Sequence, residues 1–205
     1  MKVIKKKINE ICKNAKKASI SLANTSNNDR SKALQLISKN IIKFKKKIID
    51  ANKKDISLAI KNKTPHHLID RLLLDDNRIN SMAKDVNNIS LLQDPLGKVL
   101  SRSLRPNGLK VSKISVPLGV IAVIFESRPN VASDVASLCL KSGNSVILKG
   151  GKEAQNSTET IIKIIKDSLK RTKISTNSIS SIEDYSRDAV NQLFKMEKYI
   201  DVLVP

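Results

Sequence analysis

The sequence contains very few aromatic residues and no tryptophan. Phe and Tyr make up 2% of its 205 residues, so the stacking surfaces on which single-stranded nucleic acids usually bind are scarce. Only two cysteines are present, Cys12 and Cys139, and no CxxC motif or His/Cys cluster offers metal ligands. These shortages disfavour a disulfide framework, a zinc site and a stacking-based nucleic-acid binder.

Long apolar runs are also missing. The longest, residues 116–125, is interrupted by Pro117 and Gly119 and is far shorter than the roughly 20 residues that cross a bilayer. The start "MKVIKKKINEICKNAKK" is basic but has no uninterrupted apolar centre, which argues against a signal peptide. His66 and His67 are adjacent, so on a helix they point in different directions and do not form a shared metal site. We therefore expect a cytoplasmic protein with no metal and no membrane segment.

The charge is strongly one-sided, at +19. Eight of the 38 basic residues are arginine, which leaves 30 lysines, so the bidentate donor that suits guanine and phosphate recognition is scarce. A drift of solvated positions toward Lys, Asn and Ile explains this composition more simply than a nucleic-acid partner does. A basic nucleic-acid-binding protein stays an alternative hypothesis, which requires affinity that persists near physiological salt.

Residues 1–97 are predicted to form a helical region. In the first helix an apolar stripe recurs at three- and four-residue spacing between lysines; its members are Ile4, Ile8, Ile11, Ala15, Ala18 and Leu22. After "NTSNND", a second helix is predicted from near Asp29 toward Pro65, and a third over about residues 68–92.

Residues 98–115 are predicted to form a β-hairpin. The runs "KVLSRSL" and "LKVSKISV" alternate in polarity on either side of the turn "RPNG", which is the pattern of two short antiparallel strands around a tight turn.

Residues 116–205 alternate between strand and helix signals. "GVIAVIF" is a continuous β-branched run, typical of a strand covered on both faces. In the helix that follows, we expect Pro129 in the first turn, an inward stripe of Val131, Val135, Leu138 and Cys139, and Gly143 at the end. Later elements are the strand "NSVILKGG", a helix at residues 158–169, a strand near 174–182, a helix at 187–194 and the strand "IDVLV". The predicted fold is α/β, with helices followed by a Rossmann-like parallel sheet.

Two turns lie where such sheets bind ligands, beyond the carboxyl ends of the strands. "FESRPN" leads from one strand into a helix amino terminus, which favours an anion. "LKGGKEA" follows the next strand with Lys149 at its end and Lys152 just beyond. Neither GxGxxG nor GxxxxGK[ST] is present, so the residues alone leave two alternatives, a nucleotide or phosphometabolite site and plain connecting turns.

The segment "VPLGVIAVIFESRPNVASDVASLCLKSGNSVILKGGKEAQNS" resembles the glutamate-5-semialdehyde dehydrogenases, also called γ-glutamyl phosphate reductases, of the aldehyde dehydrogenase superfamily. The motifs "ESRPNV" and "LCLKSGN" and the strand-Lys-Gly-Gly turn are together characteristic of that family, and "RPNGLKVSK" and "MEKYIDVLVP" agree with it. The similarity extends through the helical region and corresponds to about the first half of the family's length.

This resemblance implies NADPH-dependent reduction of L-glutamyl 5-phosphate to L-glutamate 5-semialdehyde and phosphate, in proline biosynthesis. In the family a cysteine thiolate attacks the acyl phosphate, and that cysteine lies in the later half. We therefore expect an amino-terminal fragment that is inactive alone, with residues 116–205 as a truncated dinucleotide-binding region. A non-catalytic or relic dinucleotide-binding fragment is the alternative.

The resemblance also implies roles for individual residues. Lys149 matches the superfamily lysine that holds the adenosine ribose, and it is also placed to pair with a 2′-phosphate. Ser127 stands where many relatives carry an oxyanion-stabilising Asn, and Lys152 stands where relatives commonly have Ser. The full set of implied site residues is Glu126, Lys149, Gly150, Gly151 and Lys152 for NADPH or NADP, Ser127 on the oxyanion side, and Arg128 and Asn130 for substrate, the last two having loop bracing as an alternative role.

The resemblance further implies a homo-oligomer for the full-length family. The predicted hairpin at residues 98–115 corresponds to the superfamily's oligomerisation arm. Cys139, on an apolar helical stripe, is predicted to be a packing residue and not the nucleophile.

Overall fold

The computed structural model describes residues 2–205, with side chains described from Ile4 onward. The first part of the chain consists of five helices and a hairpin. These are α1 (Lys2–Ala23), α2 (Asn27–Lys43), α3 (Lys45–Lys61), α4 (His66–Leu72), α5 (Asp76–Leu91), β1 (Val99–Leu104) and β2 (Lys110–Ile114). The strands β1 and β2 pair in antiparallel fashion, and every residue in them is exposed. Gly108 in the turn has a φ of 81°, which a residue without a Cβ adopts easily, so the predicted hairpin is confirmed.

The second part alternates strands and helices as predicted. Its elements are β3 (Val120–Ile124), α6 (Val131–Lys141), β4 (Ser145–Lys149), α7 (Gln155–Leu169), β5 (Ile179–Ser181), α8 (Arg187–Leu193) and β6 (Val202–Val204). The four strands lie in the order β5-β4-β3-β6, and all pairs are parallel. The α/β fold with a wound parallel sheet is therefore confirmed.

Helices cover both faces of this sheet. Side chains of Val146 and Leu148 pack into a core with α2, α5, α6 and α7, whereas Ile147 between them packs on the opposite side with α1 and α8. This alternation follows from the period-two geometry of a strand. Burial on both sides explains why the strand sequences read as continuous apolar runs.

The predicted single helix from Asp29 to Pro65 is wrong, because it is two helices with a break at Phe44. Phe44 has φ −103° and ψ 18°, outside the helical range, and its N–H still donates to the Asn40 carbonyl at 2.9 Å. No Pro or Gly marks the break. The bend lets α2 pack on α5 while both α2 and α3 pack on α7.

The predicted helix over residues 68–92 is also two helices, α4 and α5. Between them Asn52 of α3 binds the free backbone groups: its amide N donates to the Leu72 carbonyl at 2.8 Å, and its amide O accepts from the Leu74 N–H at 2.8 Å. Asp75 then caps α5 by accepting from the Arg78 N–H at 2.7 Å. Hydrogen bonds from a distant helix thus stabilise the interruption.

Three further predictions need correction. The inward stripe of α6 is wrong at Leu138, which is 52% exposed. Cys139 is buried in the core, Val135 is half-buried and packs against it, Val131 is half-buried, and the other residues that face the core are mainly small. Pro129 precedes α6 instead of lying in its first turn. The strand near residues 174–182 is only the three residues of β5, preceded by a 3₁₀ turn at Thr176–Ser178.

In the described part of the chain, no helix combines the length and apolar character needed to cross a membrane.

Candidate functional site

The turns that follow β3 and β4, which contain "FESRPN" and "LKGGKEA", meet at the carboxyl edge of the sheet. Strands β3 and β4 are paired in register up to Ile124 and Lys149, and the Phe125 N–H donates to the Lys149 carbonyl at 3.0 Å. A cavity of about 680 Å³ opens beyond this pair. Its lining includes the predicted residues Glu126, Ser127, Lys149, Gly150, Gly151 and Lys152.

Lys149 is the most buried charged group at this cavity, with 5% of its surface exposed. Its ammonium donates to the Gly150 carbonyl at 3.2 Å and lies 4.9 Å from the centre of the Tyr185 ring. Burial lowers the pKa of Lys149, and the carboxylates of Asp184 and Glu153 partly offset this. No carboxylate in the described residues lies within 4.0 Å of the ammonium, so it retains donors for a ligand.

The two glycines let the turns approach each other. A Cβ on Gly150 would lie 3.2 Å from the Phe125 ring, and one on Gly151 would collide with the Glu153 carboxylate and lie 3.4 Å from the Glu126 backbone. A side chain at either position would fill the space between the turns. Because glycine has none, the backbone stays accessible at the cavity edge.

Arg128 and Asn130 lie mainly around a second cavity. It has a volume of about 310 Å³ between the α4–α5 segment and the start of α6. A smaller pocket of about 150 Å³ joins Arg128 to Glu126 and Ser127, with Arg71 of α4 on its other side. Arg128 therefore lines a pocket shared with Ser127, whereas Asn130 and Lys149 line different cavities.

Asn130 also braces the start of α6. Its amide N donates to the Asp134 carboxylate at 3.0 Å, and its carbonyl accepts from the N–H and hydroxyl of Ser133 at 3.0 and 2.7 Å. The N–H groups of Val131 and Ala132 donate to the carbonyls of Arg128 and Pro129, each at 3.2 Å. These internal bonds use donors that the sequence led us to expect at an anion.

Several contributors to the cavities were not predicted from sequence. Tyr185 stacks beneath Lys149 and donates its hydroxyl to Glu159 at 2.9 Å, and burial raises the pKa of that hydroxyl. Residues from the end of α3 through α4, including Ala59 and Leu72, form the opposite wall. They come from a distant part of the chain and carry no motif, so only the tertiary structure reveals them.

Neither cysteine lies at either cavity. Cys12 and Cys139 are buried in the two cores, on opposite faces of the sheet. Burial raises the pKa of Cys12 to about 11 and that of Cys139 to about 12. Within the described residues, no group of three or more His, Cys, Asp or Glu side chains is arranged to hold a metal ion.

Comparison with known proteins gives strong matches. A γ-glutamyl phosphate reductase of Histophilus somni strain 2336 is 44% identical over 198 residues, which cover 97% of this chain and 47% of that protein. The crystal structure of the γ-glutamyl phosphate reductase of Thermotoga maritima superposes with a TM-score of 0.94 at 34% identity, over 97% of this chain and 48% of that one. This chain is similar to the amino-terminal half of γ-glutamyl phosphate reductases. The resemblance seen in the sequence motifs is thereby confirmed.

The similarity to γ-glutamyl phosphate reductases covers only part of those proteins. The chain spans about half the length of the curated relatives it matches. A probable aldehyde dehydrogenase of Listeria monocytogenes shares the fold, with a TM-score of 0.72 at 17% identity over 98% of this chain and 41% of that one. A scan against protein-family models gives no match.

Proposed function

We propose that this chain supplies the dinucleotide-binding half of a γ-glutamyl phosphate reductase, which reduces L-glutamyl 5-phosphate to L-glutamate 5-semialdehyde and phosphate. The observation that carries this proposal is 44% identity across 97% of the chain to a protein of that name. The positions of two family motifs support it: the "ESRPNV" motif and the Lys-Gly-Gly turn both line one cavity at the carboxyl edge of the sheet.

The residues at the large cavity fit a nicotinamide dinucleotide. Lys149 is a buried cation with free donors, suited to ribose hydroxyls or a phosphate, and the turn at Gly150 and Gly151 leaves the backbone open to a close ligand. When bound, NADPH supplies the hydride that reduces the acyl group. We assign Lys149 to the adenosine ribose and its 2′-phosphate, with the exposed Lys152 adding positive charge beside it and Glu126 on the facing turn.

The substrate end of the site lies on the other side of Ser127. Arg128, in the small pocket with Ser127, is suited to the substrate phosphate because guanidinium groups bind phosphate through paired donors. We assign Ser127 to the side of the developing oxyanion. Asn130 borders the substrate cavity while it braces α6, so both of its predicted roles are compatible with its position.

The division into a helical region at residues 1–97, an oligomerisation arm at 98–115 and a dinucleotide-binding region at 116–205 stays a prediction. It is supported by the hairpin, whose exposed side chains include Leu100, Leu104 and Val111.

A cofactor titration tests the proposal. Removing the ammonium in Lys149→Met should weaken NADPH binding far more than NADH binding, because only NADPH carries the 2′-phosphate. We expect a loss of about 1.5–3 kcal/mol for a charge-assisted contact, measured by calorimetry or NADPH fluorescence. Lys54→Met, at an exposed position of α3 away from the cavity, is the matched control.

Two results would count against this proposal. Equal weakening of NADPH and NADH would leave Lys149 as a ribose contact and reject the 2′-phosphate assignment. Absence of binding of either dinucleotide to the unmodified chain would reject the dinucleotide site itself.

A further inference from the structure

The cavity of about 310 Å³ between α5 and α6 has a lining of mixed charge. It contains three aspartates and three arginines, Asp70, Arg71, Arg78, Asp85, Arg128 and Asp134. This lining carries positive and negative groups around one small cavity. It therefore suits a small zwitterion better than an inorganic anion or an apolar ligand.

Asp85 and Asp134 form the acidic side of this cavity. Burial raises the pKa of Asp134; the hydrogen bond from Asn130 opposes this effect, and the nearby charge of Asp85 adds to it. In a chain with 38 basic residues, no basic side chain in the described part lies within 4.0 Å of either carboxylate. Two neighbouring carboxylates without a cation are stabilised when a cationic ligand lies between them.

Arg78 forms the basic side, on the same face of α5 as Asp85. Its guanidinium donates to the Asp70 carboxylate at 2.8 Å, to the Leu73 carbonyl at 3.0 Å and to the Asp70 carbonyl. These bonds occupy three of its five N–H donors and hold the group in position. The remaining donors suit a ligand carboxylate.

The cavity also adjoins the reacting end of the site. Arg128 lines it and, together with Ser127, lines the small pocket that leads toward Lys149. A ligand in the α5–α6 cavity is thus placed so that its far end reaches the turn after β3.

Resting on the proposed function, we infer that the α5–α6 cavity binds the amino-acid head group of the substrate, with Asp85 and Asp134 as partners of its ammonium and Arg78 as partner of its α-carboxylate. These residues would select an α-amino acid derivative over a simple acyl phosphate, because an acyl phosphate without the ammonium leaves the two carboxylates unpaired.

The test is a titration of the isotope-labelled chain followed by amide NMR shifts. L-Glutamate is the probe, and its side-chain carboxylate stands in for the acyl phosphate; glutarate, which lacks the ammonium, is the matched ligand. We expect L-glutamate to shift amides of α5 near Asp85 and of α6 near Asp134, with a millimolar Kd, and glutarate to bind about tenfold more weakly, as expected for one lost charge-assisted contact.

Variants separate this inference from non-specific binding. Asp134→Asn and Asp85→Asn should each raise the Kd for L-glutamate about tenfold while leaving that for glutarate unchanged. Asp50→Asn, at an exposed position of α3, is the control. Because Asp85 is exposed, its variant keeps the test valid even if Asp134→Asn disturbs α6.

Three results would overturn the inference: equal affinity for the two ligands, unchanged L-glutamate binding in both variants, or no shift at tens of millimolar L-glutamate. NADPH added to the same sample reports on the proposed function separately. Loss of NADPH binding with intact L-glutamate selectivity would remove the reductase assignment and keep the amino-acid site; the reverse would remove the amino-acid site alone.

Discussion

Among the lysines whose side chains the structure describes, Lys141 and Lys149 are buried, and they differ in what their ammonium groups contact. Lys141 donates to the Ser31 hydroxyl at 2.9 Å and to the Ser90 carbonyl at 3.0 Å, so it joins helices. Lys149 donates only to the adjacent Gly150 carbonyl among the described residues and faces a cavity. A buried cation with unused donors at the edge of a sheet is typical of a ligand contact.

Part of the site could be predicted from single residues. Lys149 and Gly150 follow a strand directly, and a strand end of a parallel sheet is where ligands bind. Tyr185 could not be found in this way, because its position beneath Lys149 depends on the path of the chain after β5. The inward direction of Leu138 was predicted wrongly because small residues, Ala132 and Ala136, form the packed face of α6.

The prediction at the residue scale concerns the reactivity of the two thiols, Cys12 and Cys139. Because burial raises both pKa values, to about 11 for Cys12 and about 12 for Cys139, neither thiolate forms near neutral pH. We expect iodoacetamide to label both cysteines of the native chain only at the rate of unfolding, and rapidly in denaturant, as read by mass spectrometry.

The same shift affects stability. A raised pKa in the folded state contributes stability that is present below the ordinary value of 9.0 and is lost as the pH rises toward the folded pKa. Fast labelling of Cys139 in the native chain at neutral pH would contradict its burial and its assignment as a packing residue.

At the scale of elements, Asp55 connects α3 to the start of α7. Its carboxylate is 1% exposed and accepts from the N–H of Asn156 at 3.1 Å and of Ser157 at 2.8 Å, and from the side chains of the same two residues at 2.7 and 2.6 Å. A carboxylate in this position satisfies free N–H groups and interacts favourably with the helix dipole. It also fixes the segment that follows the Lys149 turn.

Replacing this carboxylate should be costly. Asp55→Ala leaves several buried donors without an acceptor, and we expect the free energy of unfolding to fall by about 3 kcal/mol in urea denaturation. The matched control is Asp75→Ala, which removes an exposed cap that accepts one backbone bond at 2.7 Å, with an expected loss of about 1 kcal/mol. Equal losses for the two variants would show that the network around Asp55 adds nothing to an ordinary cap.

The existence of most elements could be predicted from periodicity and punctuation, whereas helix interruptions could not. Gly143, with φ 72°, ends α6 as expected. The breaks at Phe44 and after Leu72 have no Pro or Gly, and the second depends on Asn52, some 20 positions away. Local sequence does not encode a break that is stabilised by tertiary hydrogen bonds.

At the scale of the whole molecule, the large cavity is formed by two distant parts of the chain. Residues 59–72 provide one wall, and the turns after β3 and β4 provide the other. The helical region is therefore part of the candidate dinucleotide site as well as of the core. The family motifs predicted only the sheet side, since the helical wall consists of ordinary packing and solvent-facing residues.

The central proposal is that this chain binds the dinucleotide and that neither of its two thiols serves as the nucleophile. The most direct measurement is NADPH formation from glutamate 5-semialdehyde, phosphate and NADP, with the purified chain and its Cys139→Ala variant. Covalent reduction needs a thiolate beside the nicotinamide, and both thiols here are buried away from the cavities. We expect NADPH binding with no turnover above the buffer rate in either protein. Turnover in the unmodified chain that disappears in Cys139→Ala would contradict the claim.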